Sequence, residues 1–265
     1  MPDNPTGSAP KPLTHDPESY ENLYRGKPAF AGAPAPKAIP WDVHQAQPRL
    51  MELEALGAIK GHVLDVGCGL GDNAIYLASR GHPVTGLDSS PTGIEQARGR
   101  AADAGVQVRF DVADATELAG YESQFDTVVD SALYHCLDHG GRKAYAAAVY
   151  RATKPGARLF IYCFSGDSIN GVTAPMDAVQ ASEIRDTLPS AGWRIDFLGP
   201  TAFLGNASGF SGSFGTLPDA VLAQMPTELA QRMHHMAERM AVILPLIDDG
   251  RIHLPCHVVH ATRMD

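Results

Sequence analysis

Between residues 63 and 73 the chain reads Val-Leu-Asp-Val-Gly-Cys-Gly-Leu-Gly-Asp-Asn. A short apolar strand ending in an acid, then glycine at 67, 69 and 71, then a helical pattern, describes the first strand–turn–helix unit of a parallel sheet. Glycines so placed let the backbone turn sharply and come close to a ligand, and the helix that follows offers free N–H groups to an anion.

From Gly61 onward the same texture repeats, as short apolar runs separated by amphipathic stretches. The runs are 62–66, 83–87, 106–112, 125–130, 158–163, 193–198 and 255–261. Seven strands with helices on both faces of a mostly parallel sheet, an α/β fold, is the expectation. Ser90-Pro91 marks a helix start, Gly81 and Gly105 mark stops, and Lys154-Pro155-Gly156 is expected to end the helix that begins near Gly141. Ten of the twenty prolines fall in the first 48 residues, so residues 1–48 are expected to form a tail or flap on a domain of residues 49–265. Residues 199–254 form a long connection before the last strand, a possible substrate lid. It reads as a Gly/Ser-rich loop (205–215) followed by a helix (226–244).

Charge and cysteines narrow the functional classes. A net charge of −9 opposes binding to a polyphosphate backbone, so nucleic acid is not an expected partner. No run of 18 apolar residues is present, so no membrane span is expected. The four cysteines lie far apart without a CxxC pair and the first residues lack a signal-peptide core, which points to free thiols and the cytoplasm. His253, His257 and His260 cluster with Cys256, yet strand alternation sends His257 and His260 to opposite faces, so no metal site is expected.

The chemistry resides at the strand ends. In a dinucleotide-binding turn the third glycine would fall at position 72; Asp72 stands there and would oppose a pyrophosphate, which disfavours NAD and FAD. Asp65 can accept from an ammonium group, and with the anion-binding turn it describes an amino-acid moiety. Asp88, at the end of the second strand, can hold two ribose hydroxyls. Asp114 can accept from an exocyclic amine, and Asp130-Ser131-Ala132-Leu133-Tyr134-His135 follows the fourth strand, where the crevice of such a sheet opens.

This ordered run of motifs over residues 61–165 resembles the class I S-adenosylmethionine (SAM) dependent methyltransferases, whose fold is Rossmann-like. The resemblance implies that Gly67, Cys68, Gly69, Gly71 and Asn73, with Asp65, hold the methionine end of SAM. It gives Asp88, Ser89 and Ser90 the ribose, Asp114 and Ala115 the adenine, and Asp130, Ser131, Ala132 and Leu133 the sulfonium. The segments Pro40–Pro48, Val128–Asp138 and Leu159–Ser165 further resemble the bacterial heterocyclic-toxin and thiopurine-methyltransferase-like enzymes, which implies that Trp41 and Gln47 lie over the cofactor. A small, partly apolar aromatic or heterocyclic acceptor is then expected beside Tyr134, His135, Phe164, Phe203, Phe210, Met236 and Met240. His135 and Tyr134 are the catalytic candidates, and the methylated atom would be O, N or S. A thiol, thiopurine or inorganic-anion acceptor is one alternative reading, and a SAM-binding protein without transfer is another.

Overall fold

The computed structural model describes residues 16–29, 33–174, 178–214, 222–223 and 227–265. Their central sheet has seven strands: β1 (Val63–Val66), β2 (Val84–Asp88), β3 (Arg109–Val112), β4 (Phe125–Ser131), β5 (Thr153–Phe164), β8 (Trp193–Asn206) and β9 (Arg251–Arg263). They stand in the order β3-β2-β1-β4-β5-β9-β8, and only β9 runs antiparallel, to β5 on one side and β8 on the other. The order reverses between β1 and β4, so a crevice opens over the carboxyl ends of the strands there. A small hairpin, β6 (Ser168–Ile169) and β7 (Val172–Thr173), follows β5.

Helices α1 (Pro17–Tyr24), α2 (Pro48–Ala55), α3 (Asp72–Ser79), α4 (Pro91–Asp103), α5 (His139–Ala152), α6 (Ala181–Ser190), α7 (Ala207–Phe214) and α8 (Thr227–Ile243) complete the description. The expected Ser90 cap is present: its side chain accepts from Gly93 N–H at 2.9 Å, with Pro91 at the first helical position. Such a cap contributes about 1 kcal/mol. The inner strands β1 and β4 are buried on both faces, with Leu64 and Val128 packed against α5 residues and Val63 and Val129 against α3 and α4 residues. A third apolar cluster, from β8, β9, α7 and α8, sits beyond the carboxyl edge of β5.

Four sequence expectations need correction. Residues 17–24 of the expected tail are a capped helix, α1, with Asp16 as N-cap and Pro17 at its first turn. The Gly/Ser stretch expected as a loop is strand as far as Asn206 and helix through residue 214. Asn206 makes that change of direction, since its Oδ1 accepts from Ser208 and Gly209 N–H at 3.1 and 3.3 Å. β8 and β9 pair along residues 193–206 and 251–263, so the connection spans residues 207–250 rather than 199–254. Finally, α5 ends at Ala152, and Lys154-Pro155-Gly156 already belong to β5, which opens at Thr153. The helix expected over 226–244 corresponds to α8, while residues 215–221 of the expected loop lie outside the described residues.

Candidate active site

Two adjoining cavities occupy the crevice. The larger, about 250 Å³, is lined from the ends of β2 and β3 by Asp88, Ser89, Asp114 and Ala115. The smaller, about 100 Å³, is lined by Ser131, Ala132 and His135 and walled by Trp41, Phe164, Phe203 and Phe210. Gly67, Asp88, Ser89, Leu133, Cys136 and Tyr20 border both. A ligand that ran from one cavity to the other would pass between Asp88 and Tyr20.

The glycine turn is shaped by what it must avoid. Gly67 and Gly69 sit at φ +69° and +53°, in left-handed backbone that favours glycine. A Cβ on Gly67 would stand 2.8 Å from Leu133 Cβ, and one on Gly69 2.8 Å from the Tyr24 hydroxyl. Asp88 fixes the turn from the side: its Oδ2 accepts from Gly69 N–H and its Oδ1 from Ser90 N–H, both at 2.9 Å. Each oxygen keeps a second lone pair for a ligand hydroxyl. At Asp114, Thr116 N–H and Oγ1 both donate to Oδ1 at 2.7 Å, so a ligand amine would use Oδ2.

Beneath the turn lie two buried carboxyls. Asp65 is 1% exposed, its Oδ2 has no hydrogen-bond partner, and burial raises its pKa to about 7 against the bond from Ala74 N–H. Asp130 is fully buried and likewise raised to about 7 by burial; its Oδ1 accepts from Leu133 and Tyr134 N–H at 2.9 and 3.2 Å. Asp130 thereby bends the chain into the turn of Tyr134–Cys136, with Ala132 at φ +80°. Arg100, on α4, is engaged by Asp42 at 2.7 Å and Asp72 at 3.1 Å rather than by either buried carboxyl. A carboxyl cluster of this kind accommodates a positively charged ligand. An ammonium would answer the orphan oxygen of Asp65, a pair of hydroxyls the lone pairs of Asp88, and an amine Oδ2 of Asp114.

The cover over the cavities comes from the N-terminal segment. Glu21 docks α1 on the N-terminus of α4, where it accepts from Ser90 Oγ, from Thr92 Oγ1 at 2.6 Å and from Thr92 N–H at 3.2 Å. Tyr20 and Tyr24, one turn apart on α1, then pack on Trp41 with centroids 5.7 and 5.9 Å away, and Trp41 Nε1–H donates to the Tyr24 hydroxyl at 3.1 Å. Burial, first among causes, raises the pKa of both tyrosines and holds them neutral.

Of the residues singled out in the sequence, the structure brings Trp41, Gly67, Asp88, Ser89, Asp114, Ala115, Ser131, Ala132, His135, Phe164, Phe203 and Phe210 to the cavity walls. Others stand elsewhere. Gln47 spans to β8, donating to Leu204 O and accepting from Leu204 N–H, both at 2.9 Å, and its own N–H donates to Asn73 Oδ1. Ser90 is a helix cap, and Gly71 packs beneath the turn, where a Cβ would meet Phe110 at 2.8 Å. Cys68 is partly buried beside the turn, its Sγ 3.1 Å from where a Cβ on Gly86 would stand. Tyr134 is fully buried edge-on to Tyr145 rather than in a cavity wall. Met236 and Met240 lie in the apolar cluster that backs Phe164 and Phe203. Tyr20, Tyr24 and Cys136 are wall residues that sequence reasoning missed; for α1 the signal was Asp16-Pro17 followed by Tyr20, Leu23 and Tyr24 at helical spacing. His257 and His260 are structural, bonded to Val179 O at 3.1 Å and set edge-on to Phe160. Among the described residues no group of His, Cys, Asp and Glu could hold a metal ion, and no helix is long and apolar enough to cross a membrane.

Comparison with known proteins agrees with this geometry. Residues 63–156 match the methyltransferase domain family. The 2-heptyl-1-hydroxyquinolin-4(1H)-one methyltransferase of Mycobacteroides abscessus is 36% identical over 194 residues, which cover 73% of this chain and 84% of that protein. A probable thiol methyltransferase of Arabidopsis thaliana is 27% identical over 59% of this chain and 69% of its own length. Among solved structures, one described for the conversion of a disulfide bond into a thioacetal group during echinomycin biosynthesis is 30% identical. It superposes with a TM-score of 0.70 over 94% of this chain and 93% of its own.

Proposed function

This chain belongs to the class I SAM-dependent methyltransferases, and we propose that it transfers the methyl group to O, N or S of a small, partly apolar aromatic or heterocyclic molecule. The observation that carries the reading is the wall of the smaller cavity, where Trp41, Phe164, Phe203 and Phe210 stand together with the polar ring of His135. Such walls suit a flat apolar body with one or two polar atoms. The similarity to a methyltransferase of a hydroxyquinolinone supports the same class.

SAM supplies a methyl group already activated on a sulfonium. What remains for the protein is to hold the nucleophile in line, and proximity and orientation supply roughly 7–11 kcal/mol. General base help contributes roughly a hundred- to ten-thousandfold. Positioning is thus the larger effect, and the residues that position are the aromatic walls and Leu133. Tyr20 and Trp41 close the crevice and exclude water, which would otherwise compete for the methyl group. In this reading β8 and α7 act as the acceptor wall, through Phe203 and Phe210, and α8 backs them.

A thiolate acceptor is the second reading, favoured by the likeness to the structure described for sulfur chemistry in echinomycin biosynthesis. A SAM-binding protein without transfer is disfavoured, because the crevice continues past Asp88 into a second cavity. The test is a panel of hydroxyquinolines, phenols and aromatic thiols incubated with purified protein and SAM. Formation of S-adenosylhomocysteine together with a methylated acceptor is expected; SAM binding without product for every compound would defeat the reading.

A further inference from the structure

His135 and Phe164 stack with ring centroids 4.0 Å apart and planes 26° from parallel. The backbone N–H of Phe164 also donates to His135 Nδ1, at 3.4 Å. A backbone N–H can only donate, so Nδ1 must present its lone pair. The single hydrogen of a neutral imidazole then sits on Nε2. The ring is 2% exposed and borders the smaller cavity. Burial, seconded by the charge of Arg142, lowers its pKa to about 3, so the ring stays neutral across the working pH range.

The other titratable groups around it are kept protonated, are carboxyls that already accept from backbone N–H groups, or are paired. Tyr20 and Tyr24 from α1 and the adjacent Cys136 are kept protonated, first of all by burial. Asp88 takes the Gly69 and Ser90 N–H groups, and Asp130 takes those of Leu133 and Tyr134. Arg142 on α5 donates to Tyr134 O at 3.2 Å and to Glu183 at 2.7 Å. The cavity therefore offers donors to an acceptor and no strong base.

Resting on the transfer reading above, we propose that His135 is a hydrogen-bond donor to the acceptor and that the acceptor enters with its nucleophilic atom already unprotonated. The substrate class is then the anion of an acidic hydroxy- or mercapto-heterocycle, with an oxygen or ring nitrogen in conjugation placed against Nε2–H. The acceptor's lone pair forms the new bond to the methyl carbon while the carbon–sulfur bond breaks and its electron pair returns to sulfur. Anion and sulfonium become two neutral products, and no proton passes to the protein.

Three measurements test this. Nitrogen NMR of histidine-labelled protein, with no cofactor present, should show His135 as the Nε2–H tautomer, unchanged between about pH 5 and about pH 9. With S-adenosylhomocysteine bound, ring-substituted hydroxyquinolines should bind as their anions by absorbance. In turnover, kcat/KM should inflect at each hydroxyquinoline's own pKa, in the parent and in His135→Gln alike. His135→Ala should weaken anion binding by roughly ten- to a hundredfold and His135→Gln by less, since a carboxamide still donates. Calorimetric SAM affinity equal to the parent's would show both variants folded. An Nδ1–H tautomer, or one inflection shared by every acceptor and abolished by His135→Gln, would overturn the proposal. Absence of product with every acceptor would instead overturn the transfer reading, while the tautomer result would still stand.

Discussion

Asp42 and Arg100 meet in two hydrogen bonds, Oδ2 to Nη2 at 2.7 Å and Oδ1 to Nη1 at 2.9 Å, and so fasten the segment that carries Trp41 to α4. Burial pushes the Asp42 carboxyl up, but the hydrogen bonds and charge of Arg100 bring it below its ordinary value. The same guanidinium reaches Asp72 at the start of α3. From the other side Asn206 N–H donates to Pro40 O at 2.7 Å and its Nδ2 to Asp42 O at 3.2 Å. The cover of the crevice is therefore held between the first helices of the sheet and the end of β8. Arg100→Met should leave the fold intact and raise the SAM dissociation constant about three- to tenfold, as read by calorimetry; an unchanged constant would show that the segment needs no such fastening.

Binding of SAM should be linked to protons. In the ligand-free protein Asp65 and Asp130 titrate at about 7, so below that pH they are largely neutral. An ammonium set beside Asp65 favours its charged form, which lowers its pKa in the complex. Affinity should thus rise with pH through about 6 to 8 and level off above. Near pH 6.5, titrations in buffers of different ionisation heat should report net proton release. Asp65→Asn should flatten the dependence and weaken binding. A pH-independent affinity in the parent would place the ammonium elsewhere.

Much of this site was legible because it depends on local spacing. Asp65, Asp88 and Asp114 each follow an apolar run in a repeating strand–helix order, so topology alone carries them to one edge. Partners chosen across the chain were not legible. Gln47 bonds to Leu204, 157 residues away, and nothing around either residue announces the pair. Tyr20 was hidden in a proline-rich context that obscured the short α1. The glycines at 205 and 209 were read as part of a Gly/Ser-rich loop, whereas both are required by close packing against the Pro40 segment or Phe210.

Gly209 allows a direct check of that last point. A Cβ there would lie 2.6 Å from Pro40 Cα and 2.7 Å from Pro40 N, backbone that cannot swing aside. Gly209→Ala would ordinarily favour a helix. Here it should destabilise by about 1–3 kcal/mol, as overpacking does, and should weaken SAM binding as the Trp41 segment lifts. Thermal unfolding with and without S-adenosylhomocysteine distinguishes the two; a gain in stability would mean that the segment and α7 are not in contact.

His135 should also mark the acid limb of stability. A histidine whose pKa is lowered by folding stabilises fully above its unfolded value, roughly 6.5, and loses that contribution as pH falls toward its folded value of about 3. Between pH 7 and pH 5 this single group should cost about 2 kcal/mol. His135→Gln removes the titration, so its urea-unfolding free energy should decline less than the parent's over that interval. Equal declines would place the imidazole in contact with water.

The aromatic walls should separate cofactor from acceptor. Trp41 touches Tyr24 and also Tyr20, which borders both cavities, while Phe203 reaches only the smaller one and meets Phe164 edge-on at 6.0 Å. Removing Phe203 opens the acceptor wall and leaves the cover in place. Phe203→Ala should therefore raise the KM of a hydroxyquinoline about tenfold, close to 1.4 kcal/mol, with SAM affinity unchanged. Trp41→Ala should raise both constants, because the cover loses its centre. If Phe203→Ala weakened SAM as much as Trp41→Ala did, the smaller cavity would belong to the cofactor, and the acceptor would have to enter from another side.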